Sequence, residues 1–153
     1  MACVARVFEG NAVLKAIGFD GRERNWNLSK CVISGDQTRP RSKLHILARK
    51  ILNEQFPYDT ILEEVPLVGS HKPSRKSTLY VDFFIPSHSL AVEVHGRQHF
   101  EFVAHFHGDR KGFRKSKARD RDKANWLQNN NIDLIVLSYS GTEDEWRTSI
   151  INR

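Results

Sequence analysis

The most regular pattern of hydrophobic and polar residues in this chain lies between residues 79 and 99. Two short apolar runs, Leu79–Ile85 and Leu90–Val94, flank the polar segment Pro86-Ser87-His88-Ser89. Runs rich in Tyr, Val, Phe and Ile on either side of a Pro/Ser turn are typical of a β-hairpin. We therefore predict a hairpin at this point in the chain.

Helical spacing of apolar residues marks three other segments. Ser42, a good N-cap residue, precedes a stripe of apolar residues that predicts a helix ending near Phe56-Pro57. A second helix is predicted over Arg114–Asn129, followed by asparagines that tolerate a left-handed cap. Thr142 and Glu145 form a capping box for a last short helix.

Two further apolar segments, Thr60–Leu67 and Ile132–Leu137, predict strands. Gly69–Ser77 is predicted to be a basic flexible loop, and Phe100–Gly112 an irregular segment. From residue 41 onward the predicted order is helix, three strands, helix, strand, helix. This order indicates an α/β domain with a mixed central sheet flanked by helices.

Residues 1–40 show a weaker pattern, and we predict that they form a small N-terminal extension of a domain spanning residues 41–153. Val4–Phe8 and Val13–Ile17 are predicted to pair as a hairpin across Glu9-Gly10-Asn11. Asn25–Lys30 and Gly35–Pro40 are predicted to be loops. Basic residues interleave with Trp26 here, which suits either phosphate contact and base stacking or a small cluster packed under Trp26.

Composition and charge narrow the classes of function. The formal net charge is +6, and eight of the fourteen residues from Arg110 to Lys123 are Lys or Arg. Such bunching favours a polyanionic partner, most often nucleic acid, although a solvated basic helix face is the alternative. No apolar run approaches the ~20 residues of a membrane helix, and a signal-peptide pattern is absent. Two cysteines without a CxxC motif fit a reducing compartment, so we expect a cytoplasmic protein without structural zinc.

Four side chains with metal-binding chemistry fall at one end of the predicted hairpin. Asp82 lies in its first strand, and Glu93, His95 and His99 lie at the end of its second. Burying a carboxylate in a sheet is costly without a partner. Two acids and two imidazoles in one place therefore predict a metal site.

Asp120 lies on the apolar face of the second predicted helix, because Ala124 and Leu127 follow it at the i+4 and i+7 positions. We expect its carboxylate to point inward toward His95 or His99. A salt bridge to Arg119 or Lys123 is the alternative.

The predicted element order is that of the PD-(D/E)XK nuclease core. Glu93-Val94-His95 takes the D/E-x-K position, with His95 in place of the lysine. EVHGRQHF, followed by ARDRDKANWLQNNNIDLIVL, resembles the very-short-patch-repair (Vsr) endonuclease lineage and its EDxHD homing-endonuclease relatives, which phages often encode. The similarity spans residues 42–137.

This resemblance implies a metal-dependent endonuclease in a bacterial or phage-infected cell. Asp82 matches the metal-binding aspartate, His95 the catalytic histidine, and Asp120 the aspartate of the second helix. The first glutamate of the pattern aligns with His45. Glu64, on the strand before the hairpin, is the alternative acid. Glu93 fits the general nuclease motif.

Phosphodiester hydrolysis by such a site requires a hard divalent cation, which we expect to be Mg²⁺, with Mn²⁺ as a substitute and Zn²⁺ as the competitor. Asp82, Glu93 and the carbonyl of Val94 would bind it. His95 would accept a proton from water, and Asp120 would orient that ring. His99 would contact the phosphate or protonate the leaving oxygen.

The predicted function is therefore a site-specific, homing-type endonuclease that acts on double-stranded DNA, as a homodimer or by two successive nicks. One alternative is a nicking endonuclease directed to mismatched or branched DNA, with Trp26 or Phe102 as a wedge. Another is a DNA-binding module whose charged residues form an inactive buried network. The predicted DNA contacts are Arg24, Trp26, Arg39, Arg41, Lys72, Arg75, Lys76, Arg97, Gln98, Arg110, Lys111, Arg114, Lys115 and Arg119.

Overall fold

Short apolar strands between residues 32 and 138 build a central mixed sheet. The computed structural model describes residues 13–34 and 41–153. The strands are, in chain order, β1 (Val13–Ile17), β2 (Glu23–Asn27), β3 (Val32–Ile33), β4 (Leu62–Pro66), β5 (Tyr80–Ile85), β6 (Leu90–His95) and β7 (Asp133–Ser138). The helices are α1 (Lys43–Gln55), α2 (Ala104–His107), α3 (Arg110–Asn129) and α4 (Glu143–Ile151).

The central sheet has the strand order β3-β4-β5-β6-β7. All neighbours are antiparallel except β6 and β7, which are parallel and joined through α3. The predicted hairpin is confirmed as β5 and β6, and its turn is a short 3₁₀ segment, Pro86–His88. The structure is thus a mixed α/β fold, with a second sheet formed by β1 and β2.

Helices cover both faces of this sheet. On one face, α1 and α4 pack through apolar side chains, including Ile51 and Ile150, against Phe83 and Val92. On the other face, Trp126 of α3 packs among side chains from β4, β5 and β6. Successive residues of a strand point to opposite faces, so each strand of the hairpin contributes to both layers.

The predicted helix ends are largely confirmed. Ser42 caps α1 by accepting a hydrogen bond from the backbone N–H of His45. Thr142 caps α4 by accepting from Glu145 N–H, and Asn131 adopts the left-handed conformation with a φ of 57°.

The predicted start of the second helix is wrong: α3 begins at Arg110, four residues earlier than predicted, and Asp109 caps it by accepting from Gly112 N–H. The segment predicted to be irregular also contains the short helix α2. None of the helices within residues 13–34 and 41–153 is both long and apolar enough to cross a membrane.

The N-terminal region differs from its predicted arrangement. β1 pairs with β2, in a register that places Val13 opposite Asn27, so the loop predicted over residues 25–30 is wrong for its first three residues. A polar strand such as Glu23–Asn27 carries no extended apolar alternation that would reveal it. The predicted partner strand, Val4–Phe8, and the predicted loop Gly35–Pro40 lie outside the described residues.

Trp26 is a core residue and does not present its ring for stacking on a base. Its side chain is 3% exposed, and its ring centroid lies 4.9 Å from that of Phe84 and 5.1 Å from that of Trp126. Its Nε1–H donates to the carbonyl of Pro66 at 2.7 Å. The predicted cluster under Trp26 is therefore present, and the predicted stacking of Trp26 on a base is wrong, while phosphate contact by the surrounding basic residues stays a prediction. Residues of the extension share this core with residues beyond position 40.

This packing predicts a stability effect without an effect on DNA affinity. Trp26→Phe removes the bond to Pro66 and leaves a small cavity, so we expect the free energy of unfolding to fall by about 1–3 kcal/mol. Tyr58 is 82% exposed, so the control Tyr58→Phe should change the free energy of unfolding by less than about 0.5 kcal/mol. Urea denaturation measures both changes. A DNA affinity that falls for folded Trp26→Phe would contradict the core assignment.

Candidate functional site

The predicted hairpin opens at the position of its acidic residues. β5 and β6 pair in register only from Phe83–Ile85 to Leu90–Val92. Beyond these pairs, the side chain of Asp82 replaces the backbone of β5 as the hydrogen-bond partner of β6. Its carboxylate accepts from the backbone N–H of Val94 at 2.8 Å. The backbone N–H of Asp82 lies 3.4 Å from Oε2 of Glu93. The divergence of the strands therefore brings the two acidic side chains together.

Glu93 lies in an environment that disfavours its negative charge. Its side chain is 3% exposed, and burial, followed by the nearby Asp82 carboxylate, raises the pKa of Glu93 well above its usual value. The ammonium of Lys123 lies 2.8 Å from Oε1 and acts in the opposite direction. Two adjacent acids, one of them buried, attract positive charge. Their oxygen donors fit a hard divalent cation such as Mg²⁺.

Two stacked imidazoles lie beside these acids. His95 ends β6 and His99 lies in the short turn Arg97–His99, with ring centroids 4.0 Å apart and ring planes at 8°. Burial, followed by the proximity of His99, lowers the pKa of His95 to about 4. His95 is therefore a neutral imidazole at pH 7 and can accept a proton.

Asp120 points inward from α3, as predicted, and its partner is His99. Nδ1 of His99 lies 2.9 Å from Oδ2 of Asp120. Although burial raises the pKa of Asp120, the hydrogen bond and charge of His99 outweigh it and lower that pKa. Because an ionised carboxylate only accepts, Nδ1 of His99 carries a proton and Nε2 is the nitrogen free for exchange. The prediction that Asp120 orients His95 directly is thus corrected to His99.

The imidazoles are a poorer cation site than the two acids. Ligand atoms of His95, His99 and Asp120 lie within 4.8 Å of one another. Coordination at about 2.0–2.1 Å requires the in-plane lone pairs of both rings to meet at the metal. Nearly parallel rings stacked at 4.0 Å keep those lone pairs apart. This geometry favours a proton-transfer role for the histidines and a cation at Asp82 and Glu93.

His45, which aligns with the first acid of the family pattern, lies in a different cluster. Its Nε2 is 2.6 Å from Oε1 of Glu63, and its ring stacks on Phe83. Arg49 donates to the same carboxylate at 2.8 Å. Phe83 packs on the face covered by α1, whereas Glu93 contacts α3 through Lys123. His45 therefore binds a buried glutamate instead of joining the His95 group.

Glu64 interrupts the β4–β5 ladder, which the sequence pattern did not indicate. Glu63 pairs with Phe83 and Val65 with Val81, so Glu64 lies opposite Asp82 in the gap between these pairs, with a φ of 50°. Its carboxylate forms an ion pair with Arg41. The role of Glu64 as the alternative first acid remains a prediction.

The predicted DNA-contacting residues fall into two groups. Seven are exposed basic residues: Arg110, Lys111, Arg114, Lys115 and Arg119 on α3, Lys76 on the loop between β4 and β5, and Arg97, which pairs with Glu101. The others described here are partly or fully engaged within the protein.

Asp122 of α3 forms ion pairs with two of these residues. Lys72 and Arg75 both bind its carboxylate, at 2.8 and 3.1 Å. The loop predicted to be flexible is thereby tied to α3, along an open cleft of about 410 Å³ lined by Arg75, Lys115 and Arg119. Elsewhere, Arg24 pairs with Asp20 and Arg97 with Glu101. Gln98 is half-buried, and Arg39 lies outside the described residues.

Lys123 is the site residue that sequence analysis missed. It appeared there only as a partner for Asp120 and as the end of the basic run. Its position three residues after Asp120 places both side chains on one helix face. That spacing was the available signal for a cation directed at the hairpin.

Comparison with known proteins identifies viral relatives. The chain is 37% identical over 62 residues to "Uncharacterized protein 307L" of Invertebrate iridescent virus 6, covering 40% of this chain and 32% of that protein. It is 35% identical over 79 residues to "Uncharacterized protein 094L" of Frog virus 3, covering 51% of each. These matches span at most about half of each relative. No protein family and no solved structure matches the chain significantly.

Proposed function

We propose that this protein is a divalent-metal-dependent DNA endonuclease of the PD-(D/E)XK type. The observation that carries this proposal is the pairing of Asp82 with the buried Glu93 where β5 and β6 diverge. Burial and the adjacent Asp82 carboxylate raise the pKa of Glu93, and a buried acid beside a second acid is costly to keep ionised unless a cation uses it. The element order α1-β4-β5-β6-α3-β7 supports the same core.

Each residue of the site has a chemical task in this proposal. A bound Mg²⁺ or Mn²⁺ would supply Lewis-acid charge and lower the pKa of a water molecule. Asp82, Glu93 and the Val94 carbonyl would hold that cation. His95, neutral at pH 7, accepts the proton of the attacking water. Asp120 fixes the tautomer of His99, whose Nε2 serves the phosphate or the leaving oxygen.

The exposed basic residues of α3 would hold the DNA backbone beside this site. One site cuts one strand, so a double-strand break requires a homodimer on the DNA or two successive nicks. Incubating the protein with duplex DNA and Mg²⁺ or Mn²⁺, with and without a chelator, tests the proposal. Metal-dependent cleavage supports it. Salt-sensitive binding without any cleavage would favour a DNA-binding module instead.

A nicking endonuclease directed to mismatched or branched DNA is a second candidate, favoured by an exposed aromatic ring next to the site. Phe100 is 45% exposed and its ring lies 6.0 Å from that of His95. Such rings stack on unpaired bases. Phe102 is less suited as a wedge, because it is half-buried and Arg110 lies over its ring. Comparing cleavage of plain, mismatched and branched duplexes separates the two candidates.

Asp120→Asn tests the task assigned to the second histidine. Asparagine can offer an amide N–H to Nδ1 of His99, which favours the wrong tautomer, so we expect kcat to fall by about 10²-fold. The double variant Asp120→Asn with His99→Gln should cleave no more slowly than His99→Gln alone, because the two substitutions remove the same function. Additive losses measured by single-turnover cleavage would contradict this pairing.

Arg114→Gln tests the basic face. The guanidinium is exposed on α3, so its loss should weaken DNA binding for all sequences and reduce the slope of log K against log salt by about 0.9. Arg147→Gln is the control, since Arg147 pairs with Glu54 on the face covered by α1 and α4. Fluorescence anisotropy at several salt concentrations measures both slopes, and equal slopes for the two variants would exclude Arg114 from the interface.

A further inference from the structure

We propose that Lys123 is a substrate-contacting residue that exchanges partners during the reaction, leaving Glu93 when a divalent cation binds and then contacting the scissile phosphate. The inference rests on the proposed endonuclease function. It assigns to α3 the positive charge that β6 lacks, since His95 stands at the lysine position of the D/E-x-K motif.

The ion pair between Lys123 and Glu93 supports the first half of the exchange. Nζ lies 2.8 Å from Oε1, and the side chains are 18% and 4% exposed, respectively. Lys123 thus directs its ammonium into the acid pair and not into solvent. A divalent cation bound by Glu93 would compete for the same oxygen and repel the ammonium. The long flexible stem of lysine allows the head group to move while its helix stays in place.

The charge distribution supports the second half. β6 (Leu90–His95) contains no lysine or arginine that could contact a phosphate at its end. Arg97 is 64% exposed and paired with Glu101, and Lys72 and Arg75 bind Asp122. Lys123 is already in contact with the acid pair and needs only to change partners. Positive charge held at a phosphoryl group stabilises the charge that develops in the transition state.

Two substitutions separate the parts of this proposal. Lys123→Met keeps the apolar stem and removes the charge, and Lys123→Arg keeps the charge. Arg147→Met removes one charge on the opposite face of the sheet and is the matched control. Isothermal titration with Mn²⁺ alone, without DNA and at pH 8, measures cation affinity. Single-turnover cleavage at saturating Mn²⁺ measures the phosphate contact, and circular dichroism confirms that each variant is folded.

We expect Lys123→Met to bind Mn²⁺ several-fold more tightly than the native protein, because the competing ammonium is gone, and to cleave about 10²-fold more slowly. Lys123→Arg should recover at least part of the cleavage, and Arg147→Met should match the native protein in both assays. Native-like cleavage by Lys123→Met, or Mn²⁺ affinity that is unchanged or weaker, would overturn the role of Lys123 and leave the proposed endonuclease function standing. If the native protein itself does not cleave DNA, the proposed function fails and the phosphate contact fails with it. The Mn²⁺ titration then still decides whether Lys123 competes for Glu93.

Discussion

Asp82→Asn should reduce the rate of DNA cleavage by at least about 10³-fold while the protein stays folded and binds DNA. Asparagine keeps an oxygen that can accept from Val94 N–H, the bond that Asp82 makes at 2.8 Å. The substitution therefore removes a negative charge with little change in shape. Loss of that charge weakens cation binding directly, which is the effect that the proposed mechanism requires.

The measurement is single-turnover cleavage over a range of Mg²⁺ and Mn²⁺ concentrations, with DNA affinity determined separately. Asp133→Asn provides a matched control, because Asp133 is exposed and pairs with Leu90, at the other end of β6 from His95. The control should cleave at the native rate. Native cleavage by Asp82→Asn would refute the assignment of the site.

Glu63→Gln should lower the free energy of unfolding by about 3–5 kcal/mol, the largest stability effect we expect from one substitution. Glu63 is 0% exposed and receives bonds from both His45 and Arg49. A neutral amide would remove the negative charge that Glu63 places beside the buried guanidinium of Arg49. Glu54→Gln is the control, because Glu54 forms an exposed ion pair with Arg147 whose loss should cost at most about 1 kcal/mol.

The same carboxylate predicts a dependence of stability on pH. Burial raises the pKa of Glu63, but hydrogen bonds from His45 and Arg49 dominate and lower it to about 2, from 4.5. The folded state therefore binds this proton less readily than the unfolded state, so its contribution is complete above pH 4.5 and is lost as pH falls toward 2. Urea denaturation at several pH values should show a shallower decline for Glu63→Gln. Identical declines for the native protein and this variant would show that Glu63 is not the responsible group.

Much of the candidate site was readable from sequence because its signals are local. Asp82 and Glu93 lie on two strands joined by a short turn, so the alternation of each strand and the turn between them place the residues near one another. The inward direction of Asp120 followed from helical spacing with Ala124 and Leu127. The hydrogen bond between Asp120 and His99 confirms that direction.

Contacts between distant segments were not readable in this way. The sequence predicted either of two histidines as the partner of Asp120. The turn Arg97–His99 places His99 in contact with its carboxylate. The left-handed conformation of Glu64 interrupts the ladder between β4 and β5, and no residue pattern indicates it. His45 was aligned with a catalytic acid through the family resemblance, whereas it binds Glu63 in the structure.

The sequence by itself determined α1, α4 and most of α3, the central hairpin, the basic face of α3 and the placement of two acids and a histidine at the end of that hairpin. These features depend on periodicity, caps and turns within about twenty residues. Only the tertiary structure decided that Trp26 is buried, that β1 pairs with β2, and that Lys123 reaches Glu93. Each of these depends on which surfaces meet across the fold, and the free energy of those contacts comes from residues far apart in the chain.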